Sequence, residues 1–389
     1  MSDAAAPLPC AGSAHLSMLV DELDALVARA RDVIADAGTS DVAARRAAED
    51  AASADATLRL DGGLRTSADG SGLERPGTWL DALGGAAGGD GADGGGPDEP
   101  TSELDGSELD GAELERMAEL ERAGVRAAIA SDDLADAFGR ASADAGGLGT
   151  ALAMLHGRLT TGLVADERAG RLRRGPRVVH DASVGRVLFF PTDAALLPEA
   201  WDQLLRSVTG SGAGAAAARA APAVRAALLH LELLRHQPFD AANGRVARAA
   251  ARLALLADGL LPAGLGAPDA VLATDPLGYH EEVGASARRH DATRWVERAL
   301  ESHGAALVRT LIALGALDGD GAGGGGEPTV QLPDGLDDDF TLGDVIEQAG
   351  GSSDAARERC SMWVVAGTVE RVTGSGGLRL RRARAPRAA

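Results

Sequence analysis

From Leu234 to Arg248 the chain reads LRHQPFDAANGRVAR, a proline-and-glycine break set between two runs rich in leucine and alanine. Pro238 does not continue a helix and Asn243-Gly244 favours a turn, so one helix must stop here and another begin. A helix start presents unpaired N–H groups and a partial positive charge, which attract anions. Gly244 lets the backbone approach a ligand closely. Arg245 stands at the turn, and Arg248 lies one helical step on, along the same side. Guanidinium is the group best shaped for a bidentate grip on phosphate. Asn243-Gly244-Arg245 alone would be an ordinary turn into a helix, but with the second arginine the layout is that of a phosphate-binding device.

The rest of the chain favours helices. Five phenylalanines and one tyrosine in 389 residues leave the core to leucine, alanine and valine, and helices are the natural way to bury them. Apolar residues recur at helical spacing over 15–36, through Leu16, Leu19, Leu23, Leu26 and Val27. A second helix is expected from about Asp41 to Leu60, ending at Asp61-Gly62-Gly63. Further helices are expected from Glu113, over 151–163, 198–208, 221–234 and the signature helix to about Leu256, then over 275–300 and 302–314. A short strand pair is read from 177–179 and 187–190.

The formal net charge of −20 argues against generic binding of nucleic acid or acidic membrane. Arginine supplies all the positive charge, since the sequence contains no lysine. Cys10 and Cys360 form neither a metal pattern nor a disulfide framework, and a reduced, cytoplasmic setting is expected. No signal peptide and no membrane-length apolar run is read.

Composition divides the chain as follows: N-terminal helices over 1–62, a low-complexity linker over 63–112, a main helical domain over 113–316, a glycine-rich linker over 317–335, a C-terminal module over 336–384 and a basic tail over 385–389. The linker run GGDGADGGGPDEP cannot bury a core.

The signature resembles that of the Fic (Fido) family: His-Pro-Phe, any residue, Asp or Glu, Gly-Asn-Gly-Arg, two residues, Arg. Pro238, Phe239, Asn243, Gly244, Arg245 and Arg248 fall in register. Gln237 stands in the slot of the catalytic histidine, Ala241 in that of the metal-binding acid and Ala242 in that of the first glycine. Family members often carry a second histidine seven residues before the catalytic one. His230 has that spacing to Gln237, so the uninterrupted register makes Gln237 the occupant of the base slot; a bulged loop would bring His236 there instead. A neutral imidazole accepts a proton from a hydroxyl at neutral pH, whereas an amide does not.

The resemblance extends further. Gly170, Arg171 and Arg173 precede a hairpin ending Leu188-Phe189-Phe190-Pro191, similar to the family's flap, which implies a protein target added as an extra strand. Tyr279-His280 and Asp291 to Trp295 look like two later family helices. Thr57-Leu-Arg-Leu-Asp61-Gly62 is similar to the family's inhibitory motif, with Asp for Glu. By that resemblance Asp61 reaches Arg248, and its shorter side chain implies a looser or water-mediated contact. Segments 340–349, 353–364 and 378–382 resemble a winged helix, a module for contact with DNA or protein.

The resemblance implies an all-α Fic fold with a small hairpin flap, transferring AMP from ATP to Ser, Thr or Tyr hydroxyls and restrained by Thr57, Asp61 and Gly62. The implied catalytic residues are His236 or Gln237 with Asn243, Arg245 and Arg248. The implied nucleotide contacts are Asn243, Gly244, Arg245, Arg248 and Tyr279. Mg²⁺ would rest on Asp240 or on the nucleotide itself, unless Asp240 is the N-cap of the signature helix, which is the favoured expectation. His156 and His230 are expected to be satisfied core residues. The departures at Gln237, Ala241 and Ala242 predict weakened transfer. The alternative is a degenerate domain that binds a nucleotide or phosphate and signals through the winged helix. A homodimer is compatible with either reading.

Overall fold

The computed structural model describes residues 10, 13–61, 111–141, 144–180, 187–210, 221–316, 339–341, 344, 369–372 and 379–382. Among these, eleven α-helices carry the fold. Helices α1 (Ala14–Asp36) and α2 (Thr39–Leu60) form the N-terminal part. They are followed by α3 (Gly111–Ile129), α4 (Asp132–Ala141) and α5 (Ala145–Leu159). Strands β1 (Val179–His180) and β2 (Val187–Phe189) pair antiparallel as a hairpin. Helix α6 (Leu197–Thr209) leads to α7 (Pro222–His236) and α8 (Asn243–Ala257), which flank the signature loop. Then come α9 (Pro268–Leu272), α10 (Pro276–Arg289) and α11 (Thr293–Ala313). The all-α fold with a small hairpin is as the sequence implied.

Helix α7 is the centre of the bundle. Residues from Ala226 through His236 are all buried, so its leucines meet other helices on every side rather than along one stripe. It packs closely on α8 because alanines 247, 249, 250 and 251 leave room for the two backbones to approach. The scarce aromatic rings gather in this region. Trp295 lies edge-on to His230 at 5.0 Å and tilted to Tyr279 at 5.5 Å between centroids. Its indole N–H donates to the Ala227 carbonyl at 2.8 Å, which satisfies the one polar atom of a fully buried side chain.

Helix α2 is fastened to this bundle by polar contacts as well as by the buried Ala54, Ala56 and Leu60. Ser53 Oγ donates to Asp269 Oδ2 at 2.7 Å. Arg252 Nη2 donates to Asp50 Oδ1 at 2.7 Å. Thr310 Oγ1 donates to the buried Glu49 at 2.5 Å, and Gly266 N also donates to that carboxylate. These contacts fix the register of α2 and so decide where its last residue, and Asp61 after it, arrive.

The helix boundary expected near Glu301 is corrected. The break falls instead at His290 to Ala292. His290 takes a left-handed conformation (φ 54°), and Asp291 Oδ1 accepts from Thr293 N at 3.0 Å to restart the helix. Helix α11 then runs through 301, where Ser302 Oγ donates to the Arg298 carbonyl at 2.8 Å without interrupting the helix.

At the C-terminus, strands β3 (Asp339–Thr341), β4 (Val369–Val372) and β5 (Arg379–Arg382) form an antiparallel sheet in the order β3-β5-β4. The strand read at 378–382 is therefore present. The helix expected to begin at Phe340 is corrected, since Phe340 and Thr341 belong to β3. Asp344 is helical, and the other residues of 340–349 and all of 353–364 lie outside the described residues, as do 63–110, 317–335, Gly62 and Cys360. Among the described residues no helix is long and apolar enough to cross a membrane.

Candidate functional site

The signature loop is closed by its own asparagine. Asn243 Oδ1 accepts from Phe239 N at 2.8 Å, and Asn243 Nδ2 donates to Phe239 O at 2.7 Å. This pair of bonds sets the distance from Phe239 to the start of α8. Ala242 completes the turn at φ 57°, ψ 19°, and no side chain caps the helix. The expectation that Asp240 caps α8 is thus corrected. Its carboxylate Oδ2 instead accepts from Arg168 Nε at 3.0 Å and lies 2.9 Å from Arg168 Nη2. The Asp240 carbonyl accepts from Arg177 Nη1 at 2.7 Å.

Both signature arginines are buried and both meet acids. Arg248 is fully enclosed. Its Nε donates to Thr57 Oγ1 at 2.9 Å and its Nη2 to the Thr57 carbonyl at 3.0 Å. Nη2 also donates to Asp61 Oδ1, and Nη1 donates to the Tyr279 hydroxyl at 3.2 Å. The contact from Asp61 is therefore direct, not the loose or water-mediated one expected. The shorter side chain still reaches because Asp61 sits on the end of α2 right above Gly244. A Cβ at 244 would collide with Asp61 Oδ1 and lie 3.1 Å from Arg248 Nη1. The closeness of Asp61 and Tyr279 holds the Arg248 guanidinium above its ordinary pKa despite burial.

Arg245, 5% exposed, lies between Asp61 and Glu121. Its Nε is 3.4 Å from Asp61 Oδ2 and its Nη1 is 2.9 Å from Glu121 Oε1. Both are buried ion pairs in which the N–H is not aligned on the carboxylate oxygen. Burial pushes the Glu121 carboxyl up more than Arg245 pulls it down. Glu121 was not singled out in the sequence, where it is one of several charged residues along the α3 segment.

The histidines divide sharply. Helix α7 runs unbroken to His236, so the bulge that would free this residue does not occur. The His236 ring is completely enclosed. Its Nδ1 lies 2.7 Å from Thr192 Oγ1, and its Nε2 lies 3.1 Å from Glu232 Oε2 and 3.0 Å from Arg235 Nη2. Burial pushes its pKa down, although Glu232 opposes this. Gln237 follows in the left-handed region (φ 47°), with its amide folded back to donate to the Leu234 carbonyl at 2.9 Å. His230 is a satisfied core residue, its Nε2 being 2.9 Å from the Tyr279 hydroxyl. His156 is satisfied on one side only. Its Nδ1 accepts from Gly170 N at 2.7 Å and its ring stacks on Phe239 at 4.2 Å, but Nε2 has no hydrogen-bond partner.

The segment before the hairpin ties the flap to the loop. Arg173 N donates to the Pro238 carbonyl at 2.9 Å, and Arg173 Nε donates to the Gln237 carbonyl at 2.7 Å. Leu172 forms a bridge with Phe239. Phe190, just past β2, is 73% exposed. Arg168 and Arg177 also escaped the sequence reading, and His280 was named only as part of a later family helix. His280 Nε2 sits 2.6 Å from the Leu60 carbonyl, which secures the end of α2. The neighbouring Tyr279-His280 pair was the only hint.

A helical bundle whose hairpin is stitched to a Pro-Phe/Asn-Gly-Arg loop defines a Fic-type architecture. Residues 150–255 match the model of the Fic/DOC family, so this part of the chain is a Fic domain. In fold it is similar to a Fic family protein from Desulfovibrio desulfuricans G20, at 17% identity and a TM-score of 0.53, covering 98% of this chain and 99% of that one. A Fic domain-containing signaling protein from Bacteroides thetaiotaomicron VPI-5482 aligns at 16% identity and a TM-score of 0.45, over 80% of this chain and all of that one. Comparison with curated proteins returned no match.

Proposed function

We propose that this Fic domain binds the phosphates of a nucleotide through Arg245, Arg248 and the start of α8, and is held shut by Asp61. We further propose that it lacks the base for efficient AMP transfer to a Ser, Thr or Tyr hydroxyl. The observation that carries the reading is the enclosure of His236. Both its ring nitrogens are engaged by Thr192, Glu232 and Arg235, while Gln237 holds the slot next to the loop. A missing general base costs about two to four orders of magnitude in rate. The degenerate, binding-module reading is therefore favoured over strong transfer.

The anion seat is supported by Arg245, buried with its N–H groups poorly aligned on Asp61 and Glu121, and by Asp61, a carboxylate standing where phosphate oxygens would compete for Arg248. The donor set does not suit Mg²⁺. Ala241 offers no side-chain oxygen, and the Asp240 carboxylate is already paired with Arg168.

Intact mass after incubation with Mg-ATP tests the reading. Asp61→Ala alone should gain no AMP, and Asp61→Ala with Gln237→His should gain one. Strong modification of the single variant, abolished by His236→Ala, would defeat it.

A further inference from the structure

We infer that the site takes the phosphates of its nucleotide without a divalent cation, with Arg168 and Arg177 supplying the positive charge a metal would bring. The inference rests on the nucleotide-binding reading above and goes further, to what neutralises the ligand.

The argument begins with the oxygens. A hard cation needs several oxygen ligands, at least one of them usually a carboxylate from the protein. On this loop the slot for that carboxylate holds Ala241, whose side chain carries none. The neighbouring Asp240 is already engaged through both its carboxylate and its carbonyl. Oδ2 faces Arg168 Nε and Nη2 at 3.0 and 2.9 Å, and the carbonyl accepts from Arg177 Nη1. Among the described residues no group of three His, Cys, Asp or Glu side chains is placed to hold a metal.

The cations come next. A divalent ion approaching Asp240 would meet two guanidiniums at close range, and their repulsion adds to the loss of the Arg168 pair. A phosphate in the same place meets the opposite field. Arg177 gives one of its N–H groups to the Asp240 carbonyl, on the loop that leads into the start of α8, and so brings its charge to that loop. Arg168 is about half exposed and has the freedom to turn from Asp240 toward a ligand. Arg245 supplies buried N–H groups with no aligned acceptor at the other end of the seat. Guanidinium keeps its charge at any physiological pH and grips phosphate in two-point fashion, so it replaces the charge of a metal without needing its ligands.

Calorimetric titration of ADP into full-length Asp61→Ala protein, once in excess Mg²⁺ and once in EDTA, tests this. The affinity in EDTA should stay within about threefold of that in Mg²⁺, and Arg168→Ala or Arg177→Ala should each weaken it about tenfold in EDTA, equal to about 1.4 kcal/mol. Arg168 is exposed enough that its removal leaves the fold intact, and Arg168→Lys should restore part of the affinity. Binding that drops tenfold or more in EDTA would overturn the inference while leaving the nucleotide site standing. Arginine variants that bind as well as their parent would overturn it too. Absence of ADP binding under both conditions would remove the nucleotide-binding reading itself, and this inference with it.

Discussion

The carboxylate of Asp61 rests on the Cα of Gly244. No side chain intervenes, and the Arg248 guanidinium beside them clamps the carboxylate. One glycine therefore lets the end of α2 reach the start of α8, the position proposed for a phosphate.

Gly244→Ala follows from this contact. Alanine favours a helix over glycine by about 1 kcal/mol, but its Cβ must push Asp61 off Arg248, an overpacking cost of about 1–3 kcal/mol. Net destabilisation is expected in the otherwise unaltered chain. In an Asp61→Ala background the sign should reverse, because the obstructing carboxylate is gone. Urea unfolding of the two single variants and the double variant reads this coupling directly.

Glu121 competes for Arg245 as Asp61 competes for Arg248. Removing its charge by Glu121→Gln in the Asp61→Ala protein should tighten ADP binding about tenfold, or 1.4 kcal/mol. An unchanged dissociation constant would mean that Arg245 keeps its pair with Glu121 when the ligand is bound.

Ala242 occupies a left-handed conformation that disfavours a Cβ by about 1–2 kcal/mol. Glycine would relieve that strain and give back about 0.5–1 kcal/mol in the entropy of the unfolded chain. Ala242→Gly should therefore stabilise the protein by about 0.5–1 kcal/mol, seen as a higher denaturation midpoint with an unchanged slope.

Buried histidines shape the response to acid. Burial lowers His230 to about 3 and His156 and His303 to about 4, and it lowers His236 as well. Unfolded histidine titrates near 6.5, so between these values the unfolded chain holds more protons than the native one. The stability these residues provide is complete above about pH 6.5 and is lost as pH falls toward their folded values. Each should add about 1.4 kcal/mol per pH unit to the slope. His303→Gln keeps a donor for the Leu260 carbonyl, which His303 Nε2 meets at 3.0 Å, and should flatten that slope by one proton's worth between about pH 6 and pH 4.5.

Much of this was legible in the chain. The strand pair, the stop before Pro238 and the restart at Asn243 follow from local chemistry, while the Asp61–Arg248 contact was implied only by the resemblance of the Thr57–Gly62 segment to the family's inhibitory motif. The misplaced boundary near Glu301 shows where local reading falters. A polar stretch that looks like a break can continue as helix when its hydroxyl folds back on the helix, as Ser302 does on Arg298. The cap expected of Asp240 failed for a related reason. An acid two residues before the N-cap position, which Ala242 holds, found a stronger partner in Arg168, 72 residues away.

The sequence by itself determined that helices would carry the core, that the signature loop would end one helix and start another, and that two arginines would face the same side of the second. Those outcomes depend on backbone preferences and helical period, which neighbouring residues set. Only the tertiary structure decided that His236 is sealed among Thr192, Glu232 and Arg235, that Arg168 neutralises Asp240, and that Glu121 reaches Arg245. Those pairings depend on which helix packs beside which, and on how a left-handed residue such as Gln237 turns the chain at the end of α7. Charge pairs between distant segments leave no period in the sequence, so they are settled only when the bundle closes.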